Sequence, residues 1–155
     1  YHNNSVSALA DLPLPYDDKI VYNFHCYEPL IFTHQGAYWV PTMDPSFRCS
    51  YHTPYRRLNE LSKEQFQFEL CNIERFDASC YPDSRYFEVL FSEAVKVAEE
   101  RNVPLYCGEY GVIGLADEAD RIAWFKDFHS AMDKYSIGRA VWTYKEMDFE
   151  ISLEP

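Results

Sequence analysis

Apolar residues recur at helical spacing in two stretches of the second half of the chain. In the stretch 84–102 they return every three or four residues, as on one face of an amphipathic helix, and Asn102 followed by Pro104 predicts its end. The stretch 117–135 repeats this pattern. The positions predicted to face inward are Phe87, Leu90, Phe91, Ala94, Val95 and Ala98 in the first helix, and Ile122, Phe125, Phe128, Ala131 and Met132 in the second, where Trp124 is also expected to pack.

Short runs of β-forming residues lie between and around these helices. The segments 19–24, 103–107 and 137–144 are typical of buried strands. Strands that alternate with helices of this length predict βαβ units and a parallel sheet. The first half is less regular, and there we predict a short helix within 5–12, a long loop over 28–55 and a helix over 62–76.

Three strands and two long helices do not complete a domain. A parallel sheet needs cover on both faces and protected edges. A closed barrel of eight parallel strands takes about 250 residues, whereas this chain has 155. The pattern therefore predicts an α/β fold that is part of a barrel, with an unusual small sheet as the alternative.

Composition narrows the range of partners. The chain has 14 Lys and Arg against 25 Asp and Glu, a net charge of −11, so we expect neither nucleic acid nor an anionic membrane as a partner. It contains no run of about 18 apolar residues that could span a bilayer. The aromatic content of 17% favours a flat neutral ligand such as a sugar ring, although core packing explains most of these residues.

The cysteines and histidines lack the spacing of a metal site. The five cysteines form no Cys-x-x-Cys pair, and the histidines are not spaced as ligands. We therefore expect no metal and no cofactor. The spacing leaves open one disulfide, such as Cys71 with Cys80.

Chemically useful residues follow the predicted strands at their carboxyl ends, where parallel βα folds place their active sites. His25–Pro29 follows the first strand, Gly108–Gly111 follows the second, and Trp142–Lys145 lies at the end of the third. A carboxylate, a His/Tyr pair and a Trp thus meet on one rim. This set suits sugar chemistry, which needs a carboxylate to attack the anomeric carbon and an aromatic platform for the pyranose.

The same segments, with one more near the start of the chain, follow a known order. They are Asn4–Leu9 with Leu12–Pro13, Val21–Pro29 with Phe32–Trp39, Pro104–Gly111, and Gly138–Lys145 with Met147–Phe149. They resemble, in order and spacing, the region after strand five and strands six, seven and eight of glycoside hydrolase family 5, the cellulase family. The resemblance implies a partial (β/α)8 TIM barrel, roughly strands six to eight with their helices. Residues 1–155 would then be the C-terminal fragment of a single glycoside hydrolase barrel domain.

The resemblance assigns roles to individual residues. It makes Glu109 the nucleophile and Trp142 the floor of the −1 subsite, and it implies a secreted, extracellular enzyme. We expect the flanking Gly108 and Gly111 to allow close backbone approach and unusual dihedral angles. The family's acid/base is a Glu after Asn at the end of strand four, and this chain has no Asn-Glu-Pro segment. The pair Asn59–Glu60 lies in a loop between later elements and takes no such role, so the isolated chain should be nearly inactive.

The other site residues follow from strand alternation and from their types. Residues two apart on a strand point to the same side, so His25 and Tyr27 can both face the barrel mouth. We expect the Tyr27 hydroxyl to bond the Glu109 carboxylate and His25 to touch the nucleophile or the substrate, with a structural rim as the alternative. Trp142 and Trp39 are expected to bind substrate, with packing as the alternative.

Together these features predict retaining hydrolysis of β-1,4-glucan, with this chain supplying the nucleophile half. The expected partners are a β-glucan oligosaccharide or polysaccharide, and either the missing barrel half or a second copy of the chain. Two other interpretations stay open, namely a non-catalytic glucan-binding module and a partial barrel that self-assembles. Xyloglucan and mannan are alternative substrates, because specificity lies in loops mostly outside this chain.

Overall fold

The computed structural model describes residues 4–151. Its strands are β1 (Tyr22–Cys26), β2 (Leu105–Tyr110) and β3 (Gly138–Arg139), and its helices are α1 (Leu30–Thr33), α2 (Tyr55–Phe66), α3 (Ser84–Arg101) and α4 (Glu118–Lys134). Two 3-10 helices span Val6–Asp11 and Ile73–Arg75.

The three strands form one parallel sheet in the order β1-β2-β3, as the sequence predicts. Across β1 and β2, Phe24 lies opposite Cys107 and His25 opposite Glu109, because the register shifts between Phe24 and His25. Ser5 forms an isolated parallel bridge with His25, so the start of the described chain runs along the free side of β1. The carboxyl ends of the strands therefore meet at one edge.

Alternation along β1 separates a covered face from an open one. Tyr22, Phe24 and Cys26 are buried against the helices, whereas Asn23 is exposed and His25 half-buried on the other face. The Phe24 ring lies 5.6 Å from that of Phe91 on α3. Helices thus cover one face of the sheet, and no described element covers the other.

The two long helices begin and end where their capping residues predict. Asp83 accepts the backbone N–H of Arg85 at the start of α3, and Asn102 ends that helix with a φ of 50°. Asp117 caps α4 in the same way. The α4 ring of Phe128 stacks 4.6 Å from Tyr110 of β2, which anchors the helix on the sheet.

Trp124 packs inside, as predicted, while one expected core residue does not. The Trp124 indole is fully buried and donates its Nε1–H to the backbone oxygen of Glu28 at 3.0 Å. Ile122 was predicted to face inward, and this is wrong, because its side chain is 62% exposed. The large indole takes the place that faces the sheet and turns Ile122 outward.

Several predicted boundaries are also wrong. The third strand ends at Arg139 rather than at 144, although the N–H groups of Ala140 and Trp142 still bond the carbonyls of Cys107 and Tyr110 at 2.9 Å. The first strand lies at Tyr22–Cys26 rather than 19–24.

The two irregular parts of the first half also differ from the prediction. The helix expected over 62–76 is instead α2 and a separate 3-10 turn, because Gln67 adopts a φ of 66° that ends α2. The loop expected over 28–55 contains α1.

Three further findings concern the cysteines, the helices and the side chains that could bind a metal. All five cysteines are free, so the disulfide between Cys71 and Cys80 that the spacing left open is not formed. No helix within residues 4–151 is long and apolar enough to cross a bilayer. In the same range, no three His, Cys, Asp or Glu side chains are grouped so that they could hold a metal ion.

Candidate active site

Glu109 lies near the end of β2, within reach of both predicted partners, His25 on β1 and Tyr27 directly after it. The Tyr27 hydroxyl donates a hydrogen bond to Glu109 Oε2 at 3.0 Å. His25 Nδ1 lies 3.4 Å from the same oxygen. Among the described residues, none hydrogen-bonds the other carboxylate oxygen, Oε1. One oxygen of Glu109 is thus held while the other stays available.

Backbone geometry explains why these three side chains meet. His25 and Tyr27 are two residues apart and point to the same side of the sheet edge. The register shift after Phe24 sets His25 directly beside Glu109. Side-chain exposure of 23% for His25 and 33% for Glu109 leaves both accessible to a ligand.

The two glycines around Glu109 are required for packing rather than for unusual dihedral angles. Neither Gly108 nor Gly111 has a positive φ, so that part of the prediction is wrong. A Cβ on Gly108 would lie 2.6 Å from the Asn23 side-chain oxygen, and one on Gly111 would lie 2.3 Å from the Trp142 carbonyl oxygen. The close approach is therefore made to the chain itself, and it places the Trp142 backbone against the strand that carries Glu109.

The surroundings of Tyr27 favour its neutral phenol. Burial, followed by the neighbouring Glu109 charge and their hydrogen bond, raises the pKa of Tyr27 well above its ordinary value. The phenol therefore keeps its proton and acts as a donor. A donor directed at the ionised form of a carboxyl stabilises the negative charge.

Three residues that the sequence did not single out surround Tyr27. The Thr33 hydroxyl donates to the Tyr27 backbone oxygen at 2.5 Å. The rings of His34 and Phe149 contact the Tyr27 ring edge-on at 5.3 and 5.4 Å. Their contacts join distant parts of the chain, and no local spacing signals them.

The two predicted substrate-binding tryptophans lie in one open cleft. Trp39 is 41% exposed and Trp142 is 38% exposed. The cleft has a volume of about 250 Å3 and is lined by Tyr38, Trp39, Trp142, Met147, Asp148 and Phe149. Phe149 contacts both Trp39, at 6.1 Å between ring centres, and Tyr27. The cleft is thereby connected to the Glu109 site through one shared ring.

Two further carboxyl groups are occupied elsewhere. Glu60 lies on α2 and pairs with Arg57 at 3.1 Å. Glu28 accepts the Leu30 N–H at 3.2 Å and the Cys71 thiol at 3.4 Å, and burial raises its pKa. No described contact joins either group to Glu109.

The class of protein follows from the sheet and from the site beside it. The sheet is parallel, Glu109 accepts a hydrogen bond from Tyr27 at the carboxyl ends of the strands, and two exposed indole rings lie nearby. It is part of an α/β barrel whose site suits a carbohydrate. A family model described as cellulase, glycosyl hydrolase family 5, matches residues 1–148. The chain belongs to this family.

Known proteins align with nearly the whole chain but extend well beyond it. Cellodextrinase A of Ruminococcus flavefaciens is 41% identical over 139 residues, which is 90% of this chain and 34% of that protein. Endoglucanase C of Acetivibrio thermocellus is 39% identical over 156 aligned positions, covering 97% of this chain and 43% of that protein. The chain thus spans less than half the length of these relatives.

Solved structures show the same fold, and this chain again covers less than half of each of them. An endoglucanase superposes with a TM-score of 0.70 at 24% identity, over 96% of this chain and 39% of that one. Thermotoga maritima Cel5A in complex with cellobiose gives a TM-score of 0.69 at 22% identity, over 95% and 39%. The chain is therefore a partial TIM barrel, as the sequence predicts.

Proposed function

We propose that the enzyme to which this chain contributes hydrolyses β-1,4-glucan with retention of configuration, and that Glu109 is its nucleophile. The observation that carries the proposal is the difference between the two carboxylate oxygens of Glu109. Tyr27 donates a hydrogen bond to Oε2 at 3.0 Å and His25 Nδ1 lies 3.4 Å from the same oxygen, whereas Oε1 is without a hydrogen-bond partner in the described part. A carboxylate held at one oxygen keeps the other oxygen aimed at the substrate, which a nucleophile requires.

In the first step Glu109 Oε1 forms a bond to the anomeric carbon as the glycosidic C–O bond breaks. The leaving oxygen takes a proton from an acid that the described residues do not supply. In the second step water attacks the same carbon and gives its proton to the conjugate base of that acid, while the bond to Glu109 breaks and its carboxylate is released. The two inversions add up to retention. Throughout, Tyr27 holds Oε2 so that the attacking oxygen keeps its direction.

The cleft that holds Trp142 and Trp39 supports a neutral sugar chain as the substrate. Exposed indole faces stack on pyranose rings, and their adjacent position would bind more than one sugar unit. The names of the relatives, a cellodextrinase and endoglucanases, favour β-1,4-glucan. Thermotoga maritima Cel5A is also described in complex with mannotriose, so mannan stays the runner-up, together with xyloglucan.

The proposal extends to the whole molecule. Residues 1–155 form the C-terminal part of one barrel domain, and the enzyme acts outside the cell, where its polymer substrate is found. The acid lies in the other part of the barrel. The isolated chain is then nearly inactive on soluble β-glucan, and turnover equal to that of an ordinary cellulase would contradict this.

The stereochemistry of the product tests the proposal. A complete barrel that contains this chain is given a cellodextrin in deuterated water, and proton NMR follows the first anomer to form. Retention predicts that the β-anomer appears first and later equilibrates, and Glu109→Gln should abolish its formation. An α-anomer as the first product would exclude a glycosyl-enzyme intermediate on Glu109.

A second candidate is a partial barrel that assembles with another copy. The observation in its favour is a groove of about 320 Å3 beside α4. Most of its lining is apolar or aromatic, and the lining residues are Tyr110, Glu118, Arg121, Ile122, Phe125, His129, Val141 and Ile151. The open face of the sheet, where Tyr106 is 38% exposed, adds apolar surface without cover. Surface of this kind favours association with another chain.

A further inference from the structure

Thr33 is a buried polar residue next to the proposed active site, and the mechanism above does not use it. Its side chain is fully buried at the end of α1, two residues before Gln35. A buried hydroxyl is expensive unless its hydrogen bonds are satisfied, so its partners indicate what it holds in place.

The Thr33 hydroxyl has two partners and only one proton. Its oxygen lies 2.5 Å from the Tyr27 carbonyl oxygen and 2.9 Å from His34 Nδ1. A carbonyl oxygen cannot donate, so the proton between the two oxygens belongs to Thr33. The hydroxyl must then accept from His34, which fixes the neutral imidazole of His34 as the Nδ1–H tautomer.

His34 has the electrostatic state that this arrangement needs. Burial lowers the pKa of His34 to about 4, so the ring is neutral at neutral pH. The ring packs edge-on against Tyr27 at 5.3 Å and against Phe149 at 5.0 Å. Tyr27 is thus held twice by this dipeptide, at its carbonyl by Thr33 and at its ring by His34.

Thr33 also contacts the segment that carries the nucleophile. Its backbone oxygen accepts the N–H of Ile113 at 3.0 Å, and Ile113 follows Glu109 by four residues. Both flanks of the Tyr27–Glu109 hydrogen bond are therefore attached to one buried residue.

We propose that Thr33, oriented by His34, is a positioning residue that sets the Tyr27 hydroxyl on Glu109. The proposal rests on the proposed roles of Tyr27 and Glu109. It gives α1, a short helix in an otherwise irregular segment, a definite task in the site.

Tyrosine labelled with 13C at Cζ tests the proposal on this chain without requiring activity. The Tyr27 resonance is assigned by its loss in Tyr27→Phe, and Glu109→Gln should move it because the acceptor changes. Thr33→Val keeps the shape and removes the hydroxyl, and it should move the resonance in the same direction. Thr33→Ser should restore the wild-type position.

Ser62→Ala is the matched control. Ser62 is also a fully buried hydroxyl and donates to a backbone oxygen, that of Phe68, at 2.8 Å on α2. It should lower stability as Thr33→Val does and leave the Tyr27 resonance unchanged. A folded Thr33→Val chain with the wild-type Tyr27 resonance would overturn the proposal.

The wild-type chain provides a second test that does not depend on any variant folding. Nitrogen-15 NMR of the imidazole distinguishes its two neutral tautomers, and His34 should be protonated at Nδ1. The Nε2–H tautomer at His34 would overturn the proposal. An unchanged Tyr27 resonance in Glu109→Gln would instead remove the hydrogen bond on which the proposed function also depends.

Discussion

At the scale of single residues, the Tyr27 hydroxyl makes the clearest contribution to the site. We expect Tyr27→Phe to lower kcat of a complete enzyme by about tenfold to a hundredfold, because a hydrogen bond to a charged group is worth roughly 1.5–3 kcal/mol. The fold should survive, since Phe keeps the ring contacts with His34 and Phe149. Steady-state kinetics on a cellodextrin measure the change.

Tyr16→Phe serves as its control, because Tyr16 is 87% exposed. It removes the same hydroxyl from a position far from any described contact with Glu109. Equal kcat values for Tyr27→Phe and the wild type would mean that Glu109 does not need this donor.

Glu28 gives stability a dependence on pH. Burial raises its pKa above the ordinary value of 4.5, so the folded state binds this proton more tightly than the unfolded state does. The resulting stabilisation is complete below pH 4.5 and is lost as pH rises through the raised pKa of the folded chain. Urea unfolding midpoints should therefore fall across this window.

Glu28→Gln should remove this part of the pH dependence, and Glu99→Gln, at an exposed position on α3, should not. The same slope in Glu28→Gln and the wild type would show that another group carries it.

Sequence patterns could predict that three of the candidate site residues lie close together. Glu109 stands out because it lies between glycines at a strand end, and His25 and Tyr27 because they are two residues apart at the end of β1. Thr33, His34 and Phe149 gave no such signal. Their contacts span a loop and the end of the chain, and only the folded backbone brings them to Tyr27.

At the scale of elements, the long helices were predicted to within two residues at each end. Their stripe of apolar residues and their caps act within one element, so the sequence alone encodes them. β3 was predicted too long: its apolar run continues past Arg139, where the N–H groups of Ala140 and Trp142 still bond β2 but the chain is no longer a regular strand. The end of α2 depends on Gln67 at a positive φ, which its residue type does not favour.

Arg101 joins the end of α3 to the start of the chain. Its guanidinium donates to the backbone oxygens of Leu12 and Ala10 at 2.8 and 2.9 Å and lies 5.8 Å from the centre of the Tyr22 ring. We expect Arg101→Lys to lower the free energy of unfolding by about 1–2 kcal/mol, because an ammonium cannot reproduce the planar fork. Urea denaturation measures the loss.

Arg85→Lys is the control, since Arg85 is exposed near the other end of α3. A similar small effect from both changes would mean that Arg101 does not hold the first segment on the helix.

At the scale of the whole molecule, the open surfaces predict association. The groove beside α4 and the uncovered face of the sheet leave apolar side chains in water, including Ile122 at 62% exposure. Light scattering should show more than a monomer at tens of micromolar, a range typical of weak association. Ile122→Lys should shift the population toward the monomer.

A matched exposed position outside the groove is Ser130, which also lies on α4. Ser130→Lys should leave the association unchanged. A wild-type chain that scatters as a clean monomer and unfolds cooperatively would contradict the prediction.

The partial barrel could be predicted because three strand ends carried matching chemistry in chain order. The acid could not be placed, since no segment of these 155 residues has the pattern that supplies it. For the cleft, the sequence predicted only that Trp39 and Trp142 bind substrate. Its shape depends on Phe149, which packs between the cleft and Tyr27.

Covalent labelling of the nucleophile tests the central claim most directly. A 2-deoxy-2-fluoro cellobioside with a good leaving group slows release more than attack, so the glycosyl-enzyme of a complete barrel should accumulate. Trypsin releases Asn102–Arg121 as one peptide, since no Lys or Arg lies between Arg101 and Arg121. The same peptide holds three internal controls, Asp117, Glu118 and Asp120.

Fragmentation of this peptide should place the added mass on Glu109, and Glu109→Gln should prevent labelling. The mass on one of the three control acids, or on a different peptide, would contradict the assignment of Glu109 as the nucleophile.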